Sequence, residues 1–223
     1  LYTCLKSLMS PEVNIVTLEN PIEYDVDGIN QVEINEAAGL SFSDGLRSIL
    51  RQDPDIILLG EIRDEETAHI AFHAAQTGHM VLSTLHTNSA AAAISRLVDL
   101  GVAPFNISTT LNGVVAQRLV RRLCSECKHE DPDTSNLLKG LPASFSNDKS
   151  ITFWKGEGCD ACNFTGYTGR VGIHEVINTT PALQRLINDN GTAQEIEDEA
   201  SKGTFCRMSY DGIKKATIGL TTI

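Results

Sequence analysis

The sequence predicts an α/β fold built on a parallel sheet, followed by a small tetracysteine module and C-terminal helices. Three observations carry that expectation. Short apolar runs alternate with helix-length patterns through the first half, and two Cys-x-x-Cys pairs interrupt the second. Charge divides the 223 residues as well: 1–117 hold 5 basic and 15 acidic side chains, and 118–223 hold 13 and 14. The net charge of −11 therefore lies almost wholly in the first half.

The elements follow in order. Leu1, Cys4, Leu5 and Leu8 give the first residues an amphipathic helical spacing. NIVTLE (14–19), DIILLG (55–60) and HMVLSTL (79–85) read as strands buried on both faces. Helices are expected at 43–52, at 65–77, where acids open it and Gly78 closes it, and at 90–100, ending at Gly101. Strands at 117–123 and 171–177 flank the cysteine region, and the stretch 131–150 reads as a polar loop. Three short helical patterns at 182–189, 193–202 and 210–220 finish the chain. The composition shift divides it into an α/β core at 1–117, a cysteine module at 118–178 and a helical subdomain at 179–223.

Composition excludes some functions. A sequence pI near 4.9 does not suit a chain that coats nucleic acid, whose phosphates need clustered Lys and Arg. No apolar run approaches the ~18 residues of a membrane-spanning helix, and no signal-peptide pattern is present.

The cysteines carry the strongest local chemistry. Cys124, Cys127, Cys159 and Cys162 form two Cys-x-x-Cys pairs, whose four thiolates suit a closed, structural zinc site. A redox pair or structural disulfides are the competing readings. Cys4 and Cys206 lie in apolar helical patterns and are expected in the core. His69 and His73 stand four apart, but HIAFH lacks the Glu of a zinc-protease helix, so a solvated face is expected.

In open parallel sheets ligands bind outside the carboxyl ends of the strands, which directs attention to Glu19, Glu61 and 83–88. An apolar strand that delivers Glu61 suits the acid that manages Mg²⁺ and water beside phosphates. Glu19 ends the preceding expected strand, so two carboxylates meet one crevice. Arg47 and Arg51 share a helix face off the core and suit either a phosphate or a neighbouring carboxylate. A phosphate-cradling GxxxxGK[ST] does not occur among the 223 residues. Residue patterns alone thus reach an acidic α/β domain with a crevice and a zinc module, but no substrate.

GEIRDEETAHIAFHAAQTGHMVLSTLHTN (60–88), AQRLVRRLCSECK (116–128) and GCDACNFTGYTGRVGIHEV (158–176) resemble the secretion ATPases of type II secretion and type IV pilus assembly. The resemblance implies a RecA-like P-loop NTPase core in a hexameric, Mg²⁺-dependent ATP hydrolase that drives pilin-type subunits out of the inner membrane. By position, Ile56 to Glu61 looks like a Walker B strand with Glu61 near Mg²⁺. Glu19 sits in the likeness of the family's acidic box and activates the attacking water; Asn20 stands where an Asp is commoner. His79 and His86 fall in the likeness of its His box, which senses the γ-phosphate. Arg47 and Arg51 match arginines that stabilise the transferred charge across a subunit boundary.

The family's phosphate loop lies just upstream of a segment like Leu1-Tyr2-Thr3. The resemblance therefore implies a chain truncated after that loop, inactive alone, from an ATP-hydrolysing parent. Paired Cys-x-x-Cys motifs favour an extension or export motor over a retraction motor. The implied partners are a homo-hexamer, an inner-membrane platform protein and a cytoplasmic docking protein. The implied location is cytoplasmic, peripheral on the inner membrane. The basic flank Arg118, Arg121, Arg122 and Lys128 marks the platform contact. Two rivals remain: a zinc-ribbon interaction module on a non-catalytic α/β scaffold, and a nucleic-acid-handling RecA-like protein, which the acidic first half disfavours.

Overall fold

The fold was taken from a computed structural model, which describes residues 1–148 and 150–223. Contacts divide the chain into two compact units: Leu1–Asn112 with Thr179–Glu199, and Gly113–Asn178 with Ala200–Ile223. The second unit opens with a strand that contains both Gln117 and Arg118.

In the first unit, helix α1 (Tyr2–Leu8) precedes strand β1 (Ile15–Glu19), and the edge strand β2 (Asn30–Glu33) follows. Next come α2 (Phe42–Ile49), β3 (Ile56–Leu59), α3 (Glu65–Gln76), β4 (Met80–Ser83), α4 (Ala90–Asp99) and α5 (Pro104–Thr110). Helix α8 (Pro181–Asn188) packs on α5, and Ser108 Oγ donates to Asn188 Oδ1 at 2.9 Å. The sheet is parallel in the order β2-β1-β3-β4. All five residues of β1 and all four of β3 are buried, as strands covered on both faces must be. Leu18, Ile57 and Leu59 are fully enclosed, and each contributes about 1.5–3 kcal/mol of apolar burial.

The helix starts follow from capping. Ser41, Asp64, Ser89 and Thr180 each accept a backbone N–H of the first turn of α2, α3, α4 and α8, satisfying a donor the helix leaves unpaired. Two elements among these strands and helices of the first unit were not legible. NQVE of β2 is polar because it forms the sheet edge, and α5 is a short helix opened by Pro104. Only Leu5 of α1 is buried, so Cys4, expected in the core, is exposed. Cys206 is likewise only partly covered, just ahead of the last helix.

The second unit holds a long antiparallel ribbon, β5 (Gly113–Leu123) with β8 (Tyr167–Asn178), longer at both strands than expected. A shorter pair, β6 (Lys128–Glu130) with β7 (Trp154–Gly156), lies between them in sequence. The stretch 131–150 is not a bare loop. It contains α6 (Thr134–Lys139) and α7 (Ala143–Ser146). Phe145 and Phe153 make a core of their own with Ile213 and Ala216 of α10 (Met208–Thr217), with Leu137, Leu138 and Leu141 against it. Those apolar residues are few and set among Asp, Ser and Asn, so the periodicity is weak. Helix α9 (Ala193–Ala200) belongs to the first unit up to Glu199. Among the described residues no helix is long and apolar enough to cross a membrane.

Candidate functional site

The strand order places β1 between β2 and β3, so connections leave β1 on one side and β3 on the other. That reversal opens a crevice outside their carboxyl ends. Leu18 pairs with Leu59, which sets Glu19 beside Gly60 and one residue from Glu61. The strand ends touch: Gly60 N–H donates to Leu18 O at 2.7 Å, and a Cβ on Gly60 would lie 3.4 Å from Glu19 Cα. The same Cβ would stand 3.2 Å from Leu18 O, a tight contact that glycine avoids.

Both carboxylates are buried, Glu19 at 6% exposure and Glu61 at 9%. Burying an anion requires donors, and each has them. Glu61 Oε1 is 2.5 Å from the Arg63 guanidinium, and Oε2 is 2.9 Å from His86 Nε2. Arg63 holds the Glu61 carboxyl below the usual carboxylate range, against its burial, and His86 adds to the effect. Thr84 Oγ1 donates to Gly60 O at 2.6 Å and Ile62 N–H to Thr84 O at 3.1 Å. Those bonds tie the segment after β4 to the segment after β3, which brings His86 over Glu61.

Glu19 has a different set of partners. Thr17 Oγ1 donates to Oε1 at 2.5 Å, Gln31 Nε2 to Oε1 at 3.1 Å, and the Tyr2 hydroxyl to Oε2. Burial and the bond to Glu19 push the Tyr2 phenol up to about 12. Sequence reasoning missed Tyr2, Thr17, Gln31 and Arg63. Thr17 had a signal, because residues i and i+2 of a strand share a face and it alone is polar there among apolar neighbours. Gln31 pairs with Thr17 across the ladder, a register visible only once β2 is placed.

The remaining candidates lie elsewhere in this unit. Arg47 and Arg51 line an open groove of about 610 Å³ with His69, His73, Gln76 and the apolar Phe72. Arg47 is paired with Glu66 at 2.6 Å, and that pair holds the Glu66 carboxyl below its usual range. Among the described residues Arg51 makes no ion pair. His69 and His73 are exposed, as a solvated face requires. His79 precedes β4 at the sheet's amino edge, opposite the carboxylates, with Nδ1 2.9 Å from Ala74 O. The structure therefore joins Glu61 with His86, places Glu19 at the adjacent strand end, and sets His79 apart.

In the second unit Cys124, Cys127, Cys159 and Cys162 converge, with all four Sγ atoms within 4.8 Å of one another. Cys124–Cys159, Cys127–Cys162 and Cys159–Cys162 separations are 3.8, 3.9 and 3.8 Å. A tetrahedron with metal–sulfur bonds of ~2.3 Å has edges of ~3.8 Å, so the donor set fits a tetrathiolate zinc. A disulfide would need ~2.05 Å. Burial pushes the Cys127 thiol up to about 12. Burial opposes ionisation of Cys162 too, but N–H groups of Cys159 and Gly166, each 3.2 Å from its Sγ, bring it down to about 6. The two loops cross at Gly156 and Gly166, where a Cβ on Gly166 would lie 2.7 Å from Gly156 O.

The basic flank is not one patch. Alternation along β5 sets Arg121 on the opposite face from Arg118, and the register of the ladder shifts between Arg121 and Leu123, at Arg122. The Arg121 guanidinium lies 4.0 Å from the Tyr167 ring centre, and Lys128 Nζ donates to Gly219 O at 3.0 Å.

Comparison with known proteins follows the same lines. The family described as Type II/IV secretion system protein matches residues 1–223. The type IV pilus assembly ATPase PilB of Pseudomonas aeruginosa is 51% identical over 227 residues, covering 100% of this chain and 39% of that protein. The type II secretion system ATPase E of Vibrio cholerae is 45% identical over 223 residues, covering 100% and 44%. Among solved structures, the pilus retraction motor PilT with bound ADP superposes with a TM-score of 0.71 at 28% identity, covering 100% of this chain and 54% of that one. The chain thus spans less than half the length of these curated relatives.

Proposed function

The chain belongs to the type II/IV secretion system protein family, and from that premise we propose that it forms the carboxylate-bearing part of a motor ATPase. The supporting observation is the pair of buried carboxylates at the β1/β3 switch point, the edge where such sheets take their ligands. In this reading Glu61, held anionic by Arg63, keeps a hydrated Mg²⁺ through water. Mg²⁺ keeps several waters and takes one or two carboxylates, so a single anionic Glu fits it. The metal, when bound, neutralises charge on the phosphates.

Glu19 is the base. As a water oxygen bonds the γ-phosphorus, one of its protons passes to Glu19, and the breaking P–O bond leaves its electron pair on the departing ADP oxygen. His86, bonded to Glu61, senses the γ-phosphate. We give that role to His86 alone, because His79 is bonded at the other edge of the sheet. Arg47 and Arg51 meet phosphate charge or a carboxylate of a neighbouring subunit in a hexamer.

The hydrolysis is that of a longer protein, as its relatives are; residues 1–223 by themselves do not turn over ATP, having no GxxxxGK[ST]. A structural zinc on the four cysteines braces the second unit, and the paired motif favours pilus extension or export. The platform protein docks through the basic residues of β5, in a cytoplasmic motor held at the inner membrane by its partners.

Steady-state ATP hydrolysis by the longer protein tests the reading. It requires Mg²⁺ and falls by about 10²–10⁴-fold in Glu19→Gln, the range one general base supplies. Undiminished turnover in Glu19→Gln removes Glu19 from the chemistry.

A further inference from the structure

Three side chains outside the machinery above direct their donors at one carboxylate. The two oxygens of Glu19 are not served alike. Oε1 accepts from both Thr17 Oγ1 and Gln31 Nε2, which occupies its two lone pairs. Among the described residues Oε2 accepts from the Tyr2 hydroxyl alone, which keeps one lone pair open. Thr17 and Gln31 are opposite each other in the β1/β2 ladder, so the grip on Oε1 belongs to the sheet. The grip on Oε2 comes from α1, a separate element that packs on the sheet through Leu5 against Ile15, Ile56 and Leu58. The Tyr2 ring is itself held, with its centre 4.5 Å from that of Tyr24.

We infer that Tyr2 is a positioning residue for Glu19: Thr17 and Gln31 fix Oε1, the Tyr2 hydroxyl fixes the carboxylate plane from the other side, and Oε2 is the atom that takes the proton. The inference rests on Glu19 being the base of the proposed hydrolysis. Without the hydroxyl the carboxylate can turn about its last side-chain bond, and small displacements of a catalytic group are costly. The Tyr2 hydroxyl neither gives nor takes the transferred proton; it acts by holding Glu19.

The test uses Tyr2→Phe, which keeps the ring contact with Tyr24, in the longer protein. Expected is a fall in kcat of about 10-fold with KM for ATP unchanged, within the cost of a misplaced group. A second readout needs no turnover. Burial and the bond to Glu19 together raise the Tyr2 phenol, so Glu19→Gln lowers its titration while the contribution of burial remains.

Wild-type kcat in Tyr2→Phe, with Glu19→Gln inactive, overturns the inference and leaves the base assignment standing. Full activity in Glu19→Gln overturns both. A Tyr2 phenol whose titration Glu19→Gln leaves unmoved shows no bond to Glu19 and overturns the inference by itself.

Discussion

Substituting Gly166 with Ala tests the architecture of the cysteine site. Its φ of +76° is a left-handed conformation that costs a non-glycine residue about 1–2 kcal/mol. The added Cβ would also stand 2.7 Å from Gly156 O, a backbone atom in the facing loop that cannot rotate away. Forcing that contact open adds about 1–3 kcal/mol, the cost of overpacking. Gly169→Ala is the internal control, because φ is +72° and nothing lies within 4 Å of the new Cβ. Strain alone therefore predicts about 1–2 kcal/mol for Gly169→Ala and strain with contact about 2–5 kcal/mol for Gly166→Ala.

The consequence reaches the cysteines. Gly166 N–H donates to Cys162 Sγ, and Gly166 O accepts from Cys124 N–H at 3.0 Å, one from each pair. A shift of that residue disturbs both halves of the site. Denaturant melts of the zinc-loaded chain read the stability, and competition with a chromophoric chelator reads the metal affinity. Gly166→Ala loses at least ~10-fold in zinc affinity, since 1.4 kcal/mol is tenfold. Equal, small effects of the two substitutions would refute the claim that the loop crossing holds the thiolates in place.

Other perturbations follow from the same geometry. Glu61, whose carboxyl Arg63 depresses, stabilises the fold above the ordinary carboxylate range and loses that contribution as pH falls. Thermal melts from about pH 6 to about pH 3 therefore decline more steeply for the unaltered chain than for Glu61→Gln. Phe153→Ala empties the centre of the core beneath α6 and α7 and costs about 3–5 kcal/mol, read as a loss of amide protection in 134–156. Stripping metal with a strong chelator loosens the β6/β7 pair and the ends of β5 and β8, while amides of β1 and β3 keep their protection.

The legible parts of this chain are those where one physical signal dominates. Strands β1 and β3 are apolar without interruption because both faces are covered, so they declare themselves in sequence. Glu19 and Glu61 were visible as acids at the ends of such runs, and the four cysteines by spacing alone. What stayed hidden depends on pairing rather than composition. The polar β2 is a strand only because β1 offers it an edge, and without β2 nothing links Gln31 to Glu19. Arg63 was in plain view two residues after Glu61, but only the turn after β3 aims it back at that carboxylate. The helices of 131–150 were obscured because their core is assembled from Leu137, Phe145, Phe153 and the distant Ile213.

In the proposed function the acids at the carboxyl edge of the sheet perform the ATP hydrolysis of the longer protein. Single-turnover phosphate release, measured beside nucleotide binding in the longer protein carrying Glu61→Gln, tests it most directly. The predicted result is nucleotide binding within about threefold of the unaltered protein and phosphate release slowed by at least ~10²-fold, as loss of a group acting on transition-state charge requires. Phosphate release at the unaltered rate would contradict it.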